Sequence, residues 1–291
     1  MRTARTKLEL RGELADARRT GDSIGLVPTM GVLHEGHLSL LRAARARCDV
    51  VVMSLFVNPA QFGPSEDLAS YPRDEARDLD LAAREGVDLV YAPDAGEVYP
   101  DGFATTVEVK GDLTAVLCSD PARRGPEHFR GVTTIVAKLF NVVQPDVAFF
   151  GQKDAQQAAV IRRMAHDLDF AAEIAVLPTV REPDGLAMSS RNAYLDPAER
   201  ERAGAIHRAL RAAEAAASKG ADVAGALAAA RSELAAAKIE PEYLEARDAA
   251  DLTQAHGFNG RAVLVAVAAR VGKARLIDNV VIGADESTAT P

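Results

Sequence analysis

The sequence has no excess of basic residues, and this bears on the partners it can have. Lysine and arginine number 34 against 42 aspartates and glutamates, so the formal net charge at pH 7 is −8. Such a chain lacks the broadly basic surface that nonspecific binding of nucleic acid or anionic membranes requires. A local basic pocket for a phosphate group remains compatible with this charge.

Cysteine is scarce and long apolar runs are missing. Cys48 and Cys118 are the two cysteines, which is too few for a disulfide framework and favours a reducing compartment. No run approaches the roughly 18 apolar residues of a membrane-spanning helix. The first residues, MRTARTKLELRGELADARR, are charged throughout and lack the apolar segment of a secretory signal. We therefore expect a cytoplasmic protein that binds neither nucleic acid nor a membrane.

What is present over the first 180 residues is an alternation of apolar runs with helical patterns. The runs SIGLVPT, VVVMSLFVNP, VDLVYAP, DVAFF and EIAVLPTV are typical of strands. Repeated strand, helix, strand order predicts a parallel sheet with helices on both faces. The polar segments PTMG, NPAQFG, GQKD and TVREPDG each follow a predicted strand. Because ligands bind outside the carboxyl ends of such strands, we expect all four segments at one edge of the sheet.

The composition changes near Pro183-Asp184-Gly185. Beyond Tyr194 the chain is rich in alanine and helical in pattern, with Asp196 placed as a cap and Pro197 at the first helical position. Strand-like runs follow these helices. The sequence therefore predicts two domains, residues 1–184 and a smaller α+β domain of residues 185–291.

The segment VPTMGVLHEGHLSLLRAA sets His34 and His37 three apart, among glycines, where a predicted strand leads into a predicted helix. A P-loop would need lysine and then serine or threonine in the places of His37 and Leu38. A zincin would need His-Glu-x-x-His and a third ligand. A dinucleotide fingerprint, G-x-G-x-x-G, follows none of the strands. These three kinds of site are therefore disfavoured.

A phosphate site remains for this segment. The N-terminus of a helix presents free N–H groups and a partial positive charge, and Gly36 lets a nucleotide approach the backbone. Imidazoles add donors for charge that develops on an α-phosphate. The alternative is that both histidines only cap the helix.

His34-Glu35-Gly36-His37 resembles the signature of the "HIGH" nucleotidyltransferases, which carry a second loop on the far side of the triphosphate. AMSSRN, with Met188, Ser189, Ser190 and Arg191, fits that second loop. Its two hydroxyls and its guanidinium suit the β- and γ-phosphate oxygens.

Longer blocks carry a closer resemblance. PTMGVLHEGHLSL, FVNPAQFGPSEDLASYPR, HFRGVTTIVAKLFNVVQPDVAFFGQKDAQQ and DGLAMSSRNAYL are similar to the pantothenate synthetase (pantoate–β-alanine ligase) family. The resemblance implies an α/β fold with a Rossmann-like parallel-sheet nucleotidyltransferase domain, which binds ATP and pantoate, and a smaller C-terminal α+β domain that acts as a lid. It also implies a homodimer.

The reaction that the resemblance implies joins (R)-pantoate to β-alanine. Pantoate first reacts with Mg²⁺-ATP to give pantoyl adenylate and pyrophosphate, and β-alanine then displaces AMP to give pantothenate. ATP is a substrate, and Mg²⁺ is held mainly by its phosphates.

The resemblance also assigns roles to residues. Catalysis falls to His34, His37 and Lys153. Contacts with ATP fall to Met30, Gly31, Val32, Leu33, His34, Glu35, Gly36, His37, Gly151, Gln152, Lys153, Asp154, Val180, Met188, Ser189, Ser190 and Arg191. Gln61 and Gln157 bind pantoate, and Gln61 also lies near β-alanine. Asp78 is a weak candidate for holding magnesium, against the plainer interpretation of a carboxylate on a helix face.

Two positions depart from the family pattern. Gln152 stands where the family usually has glutamate, which matters little if that residue contacts ATP through its backbone. Gly125 stands where the family tends to have arginine, and Arg124 is one residue earlier. Whether Arg124 replaces that arginine is left open.

Rival functions are also left open. Another adenylyl- or cytidylyltransferase would share the histidine motif but stop at a nucleotidyl product. An aminoacyl-tRNA synthetase would need a basic RNA-facing surface, against which the acidic balance argues. A nucleotide-binding regulator without catalysis would bind ATP and release no pyrophosphate.

Overall fold

The computed structural model describes residues 1–63, 68, 71–119, 125–258 and 260–283. The chain forms two compact units, Met1–Gly151 with Val160–Pro178, and Gln152–Ala159 with Thr179–Pro291. The sequence predicts a boundary between residues 184 and 185, whereas the last boundary between these units lies between residues 178 and 179. The segment 152–159 belongs to the C-terminal unit, a feature that no sequence pattern indicated.

Six strands in the described part of the N-terminal unit form one sheet, in the order β1-β4-β3-β2-β5-β6. They are β1 (Arg2–Ala4), β2 (Ile24–Thr29), β3 (Val50–Leu55), β4 (Leu89–Tyr91), β5 (Val147–Gly151) and β6 (Glu173–Leu177). Every neighbouring pair is parallel. This confirms the predicted Rossmann-like parallel sheet, and adds β1, which no sequence pattern predicted.

Helices cover both faces of this sheet. The first of them are α1 (Lys7–Glu13), α2 (Ala15–Thr20), α3 (Glu35–Arg47), α4 (Glu75–Arg84), α5 (Ala95–Val98), α6 (Pro126–Val143) and α7 (Ala155–Asp167). Successive side chains of a strand point to opposite faces. In β3, Val52 accordingly joins the core cluster that includes residues of α6, whereas Met53 joins the cluster that includes residues of α3. Burial on both faces explains why the central strands are continuous apolar runs.

The C-terminal unit is a small α+β structure, as predicted. Its elements are α8 (Pro197–Ser218), α9 (Val223–Ala236), β7 (Pro241–Asp248), β8 (Val263–Val271) and β9 (Ala274–Ile282), and the strands are antiparallel in the order β7-β8-β9. Asp196 caps α8 through a reciprocal capping box with Glu199. The alanines that predicted these helices also supply the contact surface, since Ala203, Ala209 and Ala213 are fully buried.

The sheet topology fixes where the polar segments begin. β3, β2, β5 and β6 are parallel neighbours, so their carboxyl ends share one edge. PTMG, NPAQFG, GQKD and TVREPDG each begin at or shortly after one of these ends. Separately, no helix in the described ranges is both long and apolar enough to cross a membrane.

Candidate active site

The two histidines of the motif both hydrogen-bond to the start of α3. Nδ1 of His34, the N-cap residue, accepts from the Gly36 N–H at 3.2 Å, and Nδ1 of His37 accepts from the His34 N–H at 3.3 Å. The two contacts form a capping box in which histidine takes the place that glutamate or glutamine usually fills. The capping role considered as an alternative is therefore present.

The capping contacts use Nδ1 of each ring. A nitrogen that accepts a hydrogen bond carries no proton, so the proton of each neutral imidazole lies on Nε2. The ring centroids are 4.1 Å apart with the planes tilted by 36°. The helix start thus holds two adjacent imidazoles in the tautomer that makes Nε2 a donor.

The loop between β2 and α3 is held by a carboxylate from α4. Asp78 is only 1% exposed; its Oδ2 accepts from the Val32 N–H at 2.8 Å and its Oδ1 from the Leu33 N–H at 2.7 Å. Gly31 and Val32 have positive φ angles, 85° and 53°, which for Val32 is a strained conformation that the surroundings must maintain. Asp78 thereby supports the loop, a use different from the magnesium contact considered above.

Gln61 ends a short 3₁₀ turn, Pro59–Gln61, that follows β3. The buried Asn58 donates from Nδ2 to Gln61 Oε1 at 3.0 Å and to the Gly131 carbonyl at 3.1 Å. The Gln61 carbonyl lies 2.8 Å from His128 Nδ1. Both the backbone and the side chain of Gln61 are therefore held in place, and the side-chain oxygen is already used as an acceptor.

Tyr99 completes this network from α5's C-terminal end. Its hydroxyl donates to Asn58 Oδ1 at 2.7 Å. Burial raises the pKa of Tyr99 to about 12, so the phenol remains a neutral donor near pH 7. The segment NPAQFG, which begins at Asn58 shortly after β3, was the sequence signal for Asn58. No sequence pattern assigned a role to Tyr99 or His128.

Two groups of candidate residues lie in the C-terminal unit. Gln152, Lys153 and Asp154 form a 3₁₀ turn before α7, with Lys153 half-buried and Asp154 exposed, and Gln157 lies half-buried in the first turn of α7. Gly151, by contrast, is the last residue of β5 and belongs to the N-terminal unit.

The second group lies around a turn of residues 180–191. Val180 and Met188 face each other, with the Met188 N–H donating to the Val180 carbonyl at 3.0 Å. Ser189 caps the next 3₁₀ turn by accepting from the Arg191 N–H at 3.3 Å. Ser190 and Arg191 start that turn.

A buried asparagine supports the same loop. Asn192 donates from Nδ2 to Glu182 Oε1 at 2.6 Å and to the Ala187 carbonyl at 3.1 Å. Arg200 of α8 pairs with Glu182 and, at 2.9 Å, with Asp184. Asn192 is the last residue of the AMSSRN segment, but the sequence assigned it no supporting role.

Gly125, which stands where the family tends to have arginine, has an unusual backbone conformation. Gly125 has φ 78° and ψ 164°, a region that is essentially restricted to glycine. An arginine at position 125 would be strained in this backbone conformation. The replacement of the family's arginine by Gly125 therefore goes with a backbone conformation that favours glycine. Arg124, the suggested replacement, lies outside the described residues.

Comparison with known proteins decides the family. The sequence model described as pantoate-beta-alanine ligase matches residues 2–281. The chain belongs to the pantoate–β-alanine ligase family. The resemblance drawn from the four sequence blocks is thereby confirmed.

Relatives and solved structures of this family match over nearly their whole length. A pantothenate synthetase from Moorella thermoacetica is 55% identical over 284 residues, 97% of this chain and 99% of the relative. The crystal structure of pantothenate synthetase from Thermus thermophilus is 48% identical with a TM-score of 0.89, covering 96% of this chain and 99% of that one. A pantoate–β-alanine ligase from Francisella tularensis, described as complexed with β-γ ATP and β-alanine, is 31% identical with a TM-score of 0.78 and covers 97% of both chains.

Proposed function

We propose that the chain condenses (R)-pantoate with β-alanine in an ATP-dependent reaction that passes through pantoyl adenylate. Membership of the pantoate–β-alanine ligase family supports the overall reaction, and the Francisella relative complexed with β-γ ATP and β-alanine supports the two co-substrates. The observation that carries the adenylate step is the pair of Nδ1-anchored imidazoles at the start of α3.

In the first step a carboxylate oxygen of pantoate attacks the α-phosphorus of ATP. A new carboxylate–phosphorus bond forms, the bond to the bridging oxygen breaks, and pyrophosphate leaves with the electron pair. Negative charge develops on the α-phosphate oxygens, where Nε2–H of His34 and His37 can donate. Loss of one such donor typically costs about 10²–10³ in rate.

Groups of the C-terminal unit take the rest of the triphosphate in this proposal. Lys153 and Arg191 supply cationic donors, and Ser189 and Ser190 supply hydroxyls, for the phosphate oxygens. Gly151, Gln152, Asp154, Val180 and Met188 are proposed to contact the nucleotide, as are the residues of the loop 30–37.

Mg²⁺ is proposed to arrive as part of the MgATP substrate. Among the described residues no group of three or more histidine, cysteine, aspartate or glutamate side chains could hold a metal ion. Both oxygens of Asp78 already accept backbone N–H groups. We assign the ion no protein ligand in this proposal, because the family resemblance implies that the ATP phosphates hold it.

In the second step the amine of β-alanine attacks the acyl carbon of the adenylate. The amide bond forms, the acyl–oxygen bond breaks, AMP leaves with the electron pair, and the amine gives up a proton. Gln61 and Gln157 are proposed to hold pantoate, since an amide can donate and accept without repelling a carboxylate. Within the described residues Gln61 Oε1 bonds to Asn58, so its NH₂ group is the part proposed to meet substrate.

The test follows both pyrophosphate and oxygen. We expect pyrophosphate release from MgATP to require pantoate, to amount to about one equivalent per site without β-alanine, and to turn over once β-alanine is added. With ¹⁸O in the pantoate carboxylate, one labelled oxygen should appear in AMP, because that oxygen bridges carbon and phosphorus in the adenylate. Label in pyrophosphate or in inorganic phosphate would overturn the adenylate route.

The same assay separates the rival functions. A nucleotidyltransferase for another acceptor would release no pantoate-dependent pyrophosphate, and a nucleotide-binding regulator would bind ATP without releasing any.

We further propose a cytoplasmic homodimer, as the resemblance implies. Sedimentation equilibrium at micromolar concentration should give twice the chain mass, and a monomer mass would reject the dimer.

A further inference from the structure

Asn279 in β9 binds the turn that carries Lys153. Its Nδ2 donates to the carbonyl oxygens of Gln152 and Lys153, both at 2.9 Å. Its Oδ1 accepts from Gln152 Nε2, also at 2.9 Å. One side-chain amide therefore satisfies three polar groups of a turn that lies 126 or 127 positions earlier in the sequence, and all of them belong to the C-terminal unit.

Asn279 is itself held rigidly. It is 5% exposed, and it pairs with Ala266 of the central strand β8. Its backbone N–H donates to Asp278 Oδ1 at 2.8 Å, and the buried Asp278 forms a two-pronged ion pair with Arg181 at 2.6 and 3.1 Å. A residue on a paired strand with a fixed rotamer is a precise support for a functional turn.

The amide at position 152 matches the amide at position 279. Gln152 Nε2 is a donor to Asn279 Oδ1, whereas a glutamate carboxylate at position 152 would place an oxygen opposite that oxygen. The two NH₂ hydrogens of Asn279 are already taken by the backbone carbonyls, so the asparagine could not turn round to meet a carboxylate without losing them. Gln152, which departs from the family pattern, thus fits its partner in this chain.

We propose that Asn279 is a positioning residue for Lys153, holding the Gln152–Asp154 turn so that the lysine ammonium is set for the phosphates of ATP. This rests on the proposed function of Lys153. We call the three hydrogen bonds between the Asn279 amide and this turn the clamp. Because two of them go to the backbone carbonyls of Gln152 and Lys153, the clamp fixes the main chain on both sides of the peptide bond that joins these residues. A small displacement of a positioned group can cost about 10²-fold in rate.

A double-mutant cycle tests the proposal, with pantoate-dependent pyrophosphate release as the assay. We expect N279A to lower kcat about 10- to 100-fold. K153A should lower it further, and adding N279A to K153A should have little additional effect, because the clamp acts through the lysine. Independent losses that multiply in the double variant would overturn the proposal, as would wild-type kcat in N279A.

N279D distinguishes a hydrogen-bond clamp from simple packing. Aspartate has the shape of asparagine but would set an oxygen against two carbonyl oxygens. The clamp predicts that kcat of N279D is at least as low as that of N279A, whereas a packing role predicts the milder loss in N279D. Q152E should show a smaller loss than either, because it disturbs one of the three hydrogen bonds, and it keeps the proposal testable if position 279 variants fold poorly.

The control is L276A in the same strand. Leu276 is 5% exposed and packs in the core of the C-terminal unit, so L276A should lower the thermal midpoint while kcat at 25 °C stays near wild type. An equal loss of kcat in L276A would assign the N279A effect to stability. If K153A itself keeps wild-type activity, the assigned role of Lys153 fails instead, which separates failure of the proposed function from failure of the clamp.

Discussion

Gly31 and Asp78 lie so close together that a Cβ atom at position 31 would come within 2.8 Å of Asp78 Oδ2. The same oxygen accepts from the Val32 N–H. The loop before the histidines is therefore shaped by a carboxylate from another helix and by the absence of a side chain at Gly31, and its geometry is not a property of the motif alone.

The Asp78 carboxylate should be required for the histidine loop. D78N keeps the shape of the side chain but turns an NH₂ group toward one of the two backbone N–H donors. A buried donor without an acceptor costs about 1–3 kcal/mol, so we expect lower stability in urea and pyrophosphate release reduced about 10- to 100-fold. D80N, the same substitution at an exposed site of α4, is the control and should behave as wild type.

Magnesium titration separates this support role from metal binding. If Asp78 held the ion, excess Mg²⁺ would restore much of the activity of D78N. A loop displaced by a lost hydrogen bond gains nothing from added Mg²⁺. Recovery at high Mg²⁺ would contradict the support role.

Two substitutions of His37 should separate its role in capping α3 from its role in adenylate formation. H37A loses both the cap on the His34 N–H and the Nε2 donor. H37Q replaces histidine by a residue common at this position of a capping box, so it should retain most of the cap, which is worth about 0.5–2 kcal/mol. We expect both variants to lose about 10²–10³ in adenylate formation, with only H37A clearly destabilised in thermal unfolding. Wild-type turnover in H37Q would reject the catalytic role.

The sequence predicted those parts of the fold whose patterns are local. Apolar runs located β2, β3, β4, β5 and β6. Of these, β2 to β5 are buried on both faces, the burial that such runs indicate. β1 was missed because it is three residues long and exposes Arg2 and Thr3, with only Ala4 buried. The start of α3 was likewise visible, since the signal of glycines and histidines at a helix N-terminus lies within one short segment.

The supports of the candidate site could not be predicted, because their partners are far apart in the chain. Asp78 reaches Leu33 across 45 positions, and Asn58 reaches Gly131 across 73. Asp78 has the sequence context of an ordinary charged residue on a helix. Nothing in the neighbouring sequence indicates that both of its carboxylate oxygens accept hydrogen bonds from the loop between β2 and α3.

Replacing Gly131 in α6 by alanine should lower the stability of the protein, although a glycine-to-alanine change in a helix usually raises it. Alanine in a helix is normally favoured by about 0.5–1 kcal/mol, but a Cβ at position 131 would overlap the Ala60 carbonyl. We expect G131A to destabilise the protein by about 1–3 kcal/mol and to raise the KM for pantoate by displacing the turn with Gln61. G12A, in a helix with open space around the Cβ position, is the control and should be neutral or stabilising. If G131A stabilised the protein, the Pro59–Gln61 turn would be able to move away from the new Cβ without loss of stability, and the prediction would be wrong.

His207 in α8 should make the protein less stable in mild acid. Desolvation by burial, aided by Arg181, lowers the pKa of His207. The unfolded chain, with an ordinary histidine pKa of about 6.5, therefore binds more protons than the native state just below that pH. Stability contributed by the neutral ring is present above about pH 6.5 and is lost as the pH falls through the native pKa. H207Q should flatten the fall of the urea midpoint between about pH 6.5 and 5, and an unchanged slope would contradict this.

The assignment of residues 152–159 to the C-terminal unit has a consequence for biosynthesis. Gln152 leaves the ribosome 127 positions ahead of Asn279, a delay of about 6–25 s at about 5–20 residues per second. β6 is made early in that interval, so β1 to β6 are then all available to pair while the Lys153 turn still lacks its partner strand. The last strand to be made, β9, is the one that organises this turn, so a nascent or truncated chain ending before Ala274 would carry a finished parallel sheet and an unorganised lysine.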